Sequence, residues 1–468
     1  MSIKKYIASK DTTISNAYKS NLITRAENSN VGAADSLEIF SIYGQESLSS
    51  IEKSRILVQF PIDQIITDRS ASLIPNSGST HFFLKINNVE HPLTLPKDYT
   101  VLISPLSKSW EEGYGLDLEN YLDDGYPYGY GATWLTASLS SSWTNPGGDT
   151  ITSENYSYNF ITGLEDIEIN ITSLVEKWIN GNIPNNGILV KLSGTFEDGS
   201  RERSFYTKRF SSRTSEYFYK RPSIDARWES FIQDDRSNFY KYDIALSDDD
   251  NKMNIYFYNK VKGSLKNIIN NITPGVKFYS DANFNNEITS SFKNITNPSA
   301  GVYRATVILD TTASIVYDKW YNTSSSGIYF SDSFDVLNRR NYDVTGEYII
   351  NITNLKSAYS QKEQAIFKIF CRQKDWSPTI YSVANDSIQN TVLNNLYYKI
   401  FRLNDNYTVI DYSTGSVAFS KTSYDYNGNY FEIDMKNIEK NYSYGVKLAL
   451  YDGVLLKEFS PTFKFRVE

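Results

Sequence analysis

Apolar and polar residues alternate in short runs along the whole chain, and polar turn formers interrupt them about every ten residues, the pattern of antiparallel strands. Up to about residue 228 the runs read as one body. It opens with a β-like stretch, Ile7–Tyr18, and a turn rich in Asn and Gly, Asn28–Asp35. Strands are predicted at 36–43, 54–60 and 81–86. In the second, Ile56, Val58 and Phe60 form a wholly apolar face, and Leu57 makes the Arg55–Gln59 face mixed; Pro61, which has no N–H for a ladder, ends it. Residues 106–149 read as a long loop. One helix is expected over 170–181, with Leu174, Val175, Trp178 and Ile179 in a single stripe, Asn170 or Thr172 as cap and Gly181 as stop. Strands resume at 187–192, 203–208 and 222–228, making a sandwich or jelly roll.

A polar break at 233–238 marks the first boundary. Strand runs at 253–258, 275–279 and 302–309 make a smaller β domain, and 321–341, rich in Ser, Asn and Asp, reads as a loop or linker. Beyond it, Ala365, Phe367, Ile369 and Cys371 share one strand face. Asn427-Gly428 and Asp452-Gly453 sit between strand runs as hairpin turns. Roughly seven strands in about 125 residues fit an immunoglobulin-like sandwich. The expected fold is all-β: an N-terminal jelly-roll sandwich (1–230), a small middle β domain (231–342) and a C-terminal immunoglobulin-like sandwich (343–468). No internal repeat signals a propeller or solenoid.

Composition narrows the function more than the fold. Aromatic residues make up 15% of 468 residues, with 37 Tyr, against one Cys and two His, so strands are favoured and imidazole- or thiolate-based chemistry is starved of side chains. A net charge of −7 argues against nucleic acid as partner. One cysteine excludes an intramolecular disulfide framework, and no apolar run approaches the roughly 20 residues of a membrane span. The N-terminus has the positive charge of a secretory n-region but no apolar stretch behind it. The expectation is a soluble, reduced, non-enzymatic protein with no cofactor and no membrane partner.

The loop 106–149 gathers the candidate chemistry. Trp110, Trp134 and Trp143 stand among Glu111, Glu112, Asp117, Glu119, Asp123 and Asp124, and Tyr114, Tyr121, Tyr126, Tyr128 and Tyr130 crowd the same glycine-rich stretch. One reading is a solvated loop that the tryptophans anchor to the sandwich. Others are a structural calcium held by the acids, or a carboxylate pair acting on a glycosidic bond. The tyrosines and tryptophans together also form a candidate interaction surface, for proteins or as stacking platforms for glycans. His81 and His91 lack a third metal donor, and Cys371 on an apolar face reads as a small hydrophobe. No Gly-x-Ser-x-Gly elbow or phosphate loop occurs.

Several stretches of the first domain also carry a family likeness: Lys10–Ile14 leading to Asn30-Val-Gly32, Arg55–Phe60, Trp110-Glu-Glu-Gly113 with Trp134 and Trp143, Ile169–Thr172 ahead of Leu174–Trp178, and Asn186–Leu189. Together they resemble the DNRLRE family, jelly-roll sandwiches related to carbohydrate-binding modules. Asn28–Gly44, Tyr206–Phe210, Lys374–Tyr381 and Phe463–Glu468 resemble virion structural proteins of T4-like marine tailed phages, of the cyanophage and pelagiphage kind. That likeness implies a structural part of the particle at the capsid, neck or tail, present in many copies or as a homo-oligomer, bound to other virion proteins and carrying no catalytic residues. The rival expectation is a host-surface carbohydrate-binding or adhesion protein that uses the loop 106–149.

Overall fold

Period-two alternation organises residues 2–229. In the computed structural model its strands are β1 (Ile3–Ile7), β2 (Lys10–Ser15), β3 (Ser36–Tyr43), β4 (Ile51–Gln59), β5 (Thr80–Ile86), β6 (Tyr99–Pro105), β7 (Thr136–Ser138), β8 (Ser141–Ser142), β9 (Tyr156–Phe160), β10 (Ile167–Asn170), β11 (Ile188–Leu192), β12 (Phe205–Ser211) and β13 (Ser223–Trp228). The structure describes residues 2–43, 51–89, 97–121, 131–200, 204–338, 347–375 and 390–468. They form two compact units, 2–229 and 230–468.

The first unit is a two-sheet antiparallel sandwich. One sheet runs β1-β13-β5-β10, so the first and last strands are neighbours, and the other runs β12-β3-β4-β11-β6-β9. Along β4 two strands share one edge: β3 pairs with Ile51–Ser54 and β2 takes over along Ser54–Gln59. Between the sheets lies a core that includes Ile56, Val58, Phe82, Leu84, Val101, Val190, Phe210 and Ile224. Leu57 faces the other way into a second core, with Ile14, Leu106, Leu189 and the three loop tryptophans. The apolar residue that spoils the clean alternation of β4 is what seats the loop.

Helix α2 (Thr172–Ile179) forms where the stripe predicts it; the Asn170 side chain accepts from the Thr172 N–H at 2.9 Å, and Gly181 follows at φ +71°. Helix α1 (Ile62–Ser70) is an addition to the sequence expectation. Pro61 ends the strand and, with φ −79°, opens this helix. Arg69 near its end makes a two-pronged ion pair with Glu176 of α2, at 2.6 and 2.9 Å.

In the second unit the sheets fall into two sets. In the first, the strands Phe239–Tyr240, Ile328–Leu337, Ile315–Tyr321, Gly275–Tyr279 and Glu287–Ile288 form one sheet, and Met253–Tyr258, Val302–Leu309 and Ser290–Ser299 the other. Trp320, Phe278, Ile255, Phe257 and Val307 fill the space they share. The expectation of a loop over 321–341 is corrected here: Ile328–Leu337 is a ten-residue strand. Its Ser and Asp side chains face outward, and Phe334 and Val336 insert into the core.

The second set places Tyr348–Ile352, Gln364–Gln373, Gly428–Asp434 and Ser423–Asp425 in one sheet, and Ala358–Tyr359, Phe463–Val467, Ser443–Tyr451, Leu396–Arg402 and Thr408–Ile410 in the other. Asp425 pairs with Gly428 across the expected Asn427 turn, where Gly428 adopts φ +121°. The Tyr444 hydroxyl donates to the Glu439 carbonyl at 2.6 Å, a tyrosine bonding back to nearby upstream backbone as in immunoglobulin-like sandwiches. Cys371 is buried with Phe367 and Ile369, and burial pushes its thiol up to about 12. The fold is all-β throughout, with short helices only, and among the described residues no helix is long and apolar enough to cross a membrane.

Candidate functional site

After β6 the chain leaves the sheet at Pro105 and folds back over the outer face of β2, β4 and β11. Three indoles hold it there. The Trp110 N–H donates to the Asn186 carbonyl at 2.8 Å, and the Trp143 N–H to the Thr133 carbonyl at 2.9 Å. Trp134 lies 5.0 Å from the Arg55 guanidinium, which also donates to the Gly147 carbonyl and pairs with Glu197. The three side chains are 3%, 6% and 5% exposed. Rings enclosed to this degree are core residues, so the stacking-platform role expected of Trp110, Trp134 and Trp143 is corrected to that of anchors.

Glu112, Asp117 and Glu119 are committed to local structure. Glu112 accepts from the Asp11 N–H at 2.8 Å and forms an ion pair with Arg213, whose Nε is 2.5 Å from Oε1. Asp11 is buried beside it and accepts from the Arg213 N–H at 2.6 Å. Burial, opposed by that N–H and reinforced by the Glu112 charge, raises Asp11 to about 7. This is a carboxylate pair, but one arm is closed off from solvent and the other is bound to arginine. Asp117 accepts from the N–H groups of Glu119 and Tyr121. Asp123 and Asp124 lie outside the described residues. Among the described residues no group of three His, Cys, Asp or Glu is placed to hold a metal ion. His81 is on β5, and His91 lies outside the described residues.

Among its exposed residues the loop also presents large apolar side chains. Tyr121 is 66% exposed, and Tyr114 and Leu116 are exposed beside it in the chain. The Leu116 N–H donates to the Tyr121 carbonyl at 2.8 Å, closing this stretch into a ring. Tyr126, Tyr128 and Tyr130 lie outside the described residues. The ring is tied to a second loop, 16–34. Ser20 N–H donates to Glu119 at 2.5 Å, the Ser29 hydroxyl to the Leu118 carbonyl at 2.7 Å, and Ala33 N–H to the Gly115 carbonyl at 2.9 Å. The two backbones meet so closely that a Cβ on Gly115 would lie 1.8 Å from the Asn30 carbonyl oxygen.

At the tip of that second loop stand Leu22 and Ile23, 78% and 83% exposed. The Asn21 side chain fixes them by accepting from the N–H groups of Ile23 and Thr24, both at 2.9 Å, and Leu22 is held at φ +52°, a conformation that branched side chains avoid. Sequence reasoning passed over this pair, although an Asn followed by two aliphatics inside a polar turn is the visible trace of it. The Ser20 N–H lowers the Glu119 carboxyl below the usual range, so the apolar cluster carries a fixed negative charge between its two halves.

No protein-family model matches this chain, and no curated protein matches it. Among solved structures it is similar to a chimeric titin Z1Z2-Z1Z2 tandem (16% identity, 46% of this chain and 91% of that one, TM-score 0.15). It is also similar to the tandem Ig repeats of Dlar (10% identity, 42% of this chain and 82% of that one, TM-score 0.14) and to the Yersinia pseudotuberculosis adhesin InvE (11% identity, 46% and 54%, TM-score 0.16).

Proposed function

We propose that this chain is a non-enzymatic structural component of a tailed-phage particle that binds another virion protein through the Leu22, Ile23, Leu116 and Tyr121 surface. The observation that carries the reading is that two loops, each exposing large apolar side chains, are tied together by hydrogen bonds, and that one of them is anchored by a second core. Large apolar side chains fixed in solvent at both loop tips are the signature of a contact surface. The likeness of both chain ends to virion proteins of marine T4-like phages supports the particle as the setting. The ionised Glu119 in the middle of the patch, next to Asp117, favours a partner with an apolar pocket and a basic rim.

The test pairs Leu22→Asn with Tyr121→Ser in the full chain. Asparagine is comfortable at the positive φ of residue 22, and both sites are exposed, so folding stability stays within about 0.5 kcal/mol of the parent. Stoichiometric incorporation into purified particles is expected to fall in the double variant. Unchanged incorporation, or incorporation abolished equally by soluble sugars, overturns the reading; the second result identifies the surface as a glycan site.

A further inference from the structure

At the start of the second unit, residues 231–236 lie along the strand Ser423–Asp425, which comes nearly two hundred residues later in the chain. Ile232 N–H donates to the Ser423 hydroxyl at 2.9 Å, Tyr424 N–H to the Ile232 carbonyl at 2.8 Å, and Asp234 N–H to the Tyr424 carbonyl at 3.0 Å. The Gln233 amide reaches the Asn394 carbonyl at 2.9 Å, and the Lys421 ammonium sits 4.9 Å from the Phe231 ring. The segment then makes one 3-10 turn, Asp235–Ser237, and enters the other sandwich at Phe239. Ile232, Gln233 and Asp234 thus belong by hydrogen bonding to the sandwich of 348–467 and by connection to that of 239–337.

Asp235 joins the two sandwiches with its side chain. One oxygen accepts from the Tyr424 hydroxyl and the other from the Asn254 N–H, both at 2.6 Å. Its neighbour Arg236 turns into the first sandwich and grips Asp318 at 2.6 and 2.7 Å, with a further bond to the Tyr256 carbonyl; the Trp320 N–H completes Asp318 at 2.8 Å. Asp234 accepts a long bond from the Arg236 backbone N–H at 3.4 Å and lies 3.7 Å from the Arg236 Nε, a looser pairing than that of Asp318. The count of buried charge is therefore uneven. Asp234, Asp235, Asp318 and Arg236 are all buried, three carboxyls to one guanidinium, and both terminal nitrogens of that guanidinium are on Asp318. Among the described residues, the other groups facing the cluster do not restore the balance. Tyr256, Tyr258, Tyr424 and Tyr430 are phenols, Asp332 and Asp425 add negative charge, and the Arg304 cation is directed at Tyr256.

We propose that this junction is an acid-set latch: when Asp235 and Asp234 hold protons the segment 231–236 clamps the two sandwiches of residues 230–468 together, and their ionisation releases it. Ionised, Asp235 accepts both bonds, which offset part of its burial cost; protonated, it keeps the Asn254 bond and donates to the Tyr424 oxygen instead. An ionised pair adds buried negative charge to a cluster whose one guanidinium is already held on Asp318, a burial cost that outweighs those bonds. Burial raises Asp234 to about 7 and Asp235 to about 6, against an ordinary aspartate value of 3.8. Protons held by the closed latch and released by the open one favour closure at low pH, and that advantage fades as pH rises through 6 to 7. Residues 230–468 contain no histidine, which leaves carboxyls as the groups able to drive such a transition near neutrality.

Hydrogen exchange on the full chain tests this, with rates corrected for the intrinsic pH dependence and peptides covering 231–237 and 421–427 read against the core strand Gln364–Gln373. Protection at the latch is expected to fall by about tenfold or more between pH 5 and pH 8, with the core strand unchanged. The double variant Asp234→Asn/Asp235→Asn, which carries the neutral form at every pH, is expected to keep at pH 8 the protection it has at pH 5. Equal latch protection at the two pH values in the parent overturns the proposal, and so does a pH dependence that survives in the double variant. If that variant does not fold, the parent comparison decides alone.

Discussion

Replacing Trp143 separates an anchor from a binding platform. Its indole is enclosed by the second core with Ile14, Leu57, Leu106, Ala132, Ala137 and Leu189, and its N–H satisfies the Thr133 carbonyl at 2.9 Å. Trp143→Ala removes the ring and leaves both a void and an unpaired carbonyl, a loss of about 3–5 kcal/mol. For a unit of this size each kcal/mol moves the midpoint by roughly 2–4 °C, so the thermal transition of residues 2–229 should fall by about 6–20 °C. Trp143→Phe keeps most of the volume and loses only the N–H, and is expected to cost about 1–2 kcal/mol. Tryptophan fluorescence is the natural assay, because Trp110, Trp134, Trp143, Trp178 and Trp228 all lie in this unit and only Trp320 and Trp376 lie outside it. Urea titrations of the three proteins give the graded series directly. A loss below about 1 kcal/mol for the alanine variant, together with sugar-dependent quenching in the parent, refutes the assignment of this ring to the core.

Two further outcomes follow from the same region. Asp11 is raised from 3.8 to about 7, so its contribution to stability is complete at acid pH and is lost as pH climbs through 7; Asp11→Asn should therefore flatten the decline between pH 5 and pH 8 in thermal melts followed by tryptophan emission, and parallel profiles for parent and variant contradict this. Gly115→Ala forces a methyl into the Asn30 carbonyl and should destabilise the first unit by about 1–3 kcal/mol while unseating the ring 116–121, read as lost particle incorporation with the tryptophans still buried.

The strands were legible because each needs only one apolar face, and Ser36–Tyr43, Thr80–Ile86 and Gln364–Gln373 write that face into alternate residues. Leu57 was visible too, as an exception to the pattern, but its meaning depends on what covers the outer face, which local periodicity cannot state. Strand Ile328–Leu337 was hidden for the opposite reason: it buries only its Phe334 and Val336 end, and its Ser and Asp residues imitate a linker. The segment 233–238 reads as a break because it is polar. Its polarity is instead absorbed by pairing with Tyr424, Asn254 and Asp318, all distant in sequence. Leu22 and Ile23 carry no periodicity at all, since side chains 78% and 83% exposed form no buried face whose spacing could be detected.

The division of aromatic residues between inside and outside also bears on how the proposed contact surface works. An exposed loop ordinarily loses affinity by having to become ordered when it binds. Here that ordering is already in place: three indoles fix the loop from below, Asp117, Glu119 and Asn21 occupy backbone N–H groups at its turns, and the Gly115–Asn30 approach locks the two loops together. Asp117 and Glu119, which look like reagents in the sequence, are therefore used as acceptors that hold backbone N–H groups. The tryptophans that look like a binding face lie one layer too deep to touch a partner. Their role is indirect, because they keep Tyr121, Leu116, Leu22 and Ile23 in place before any partner arrives. A small apolar patch gains more from such pre-ordering than from extra area.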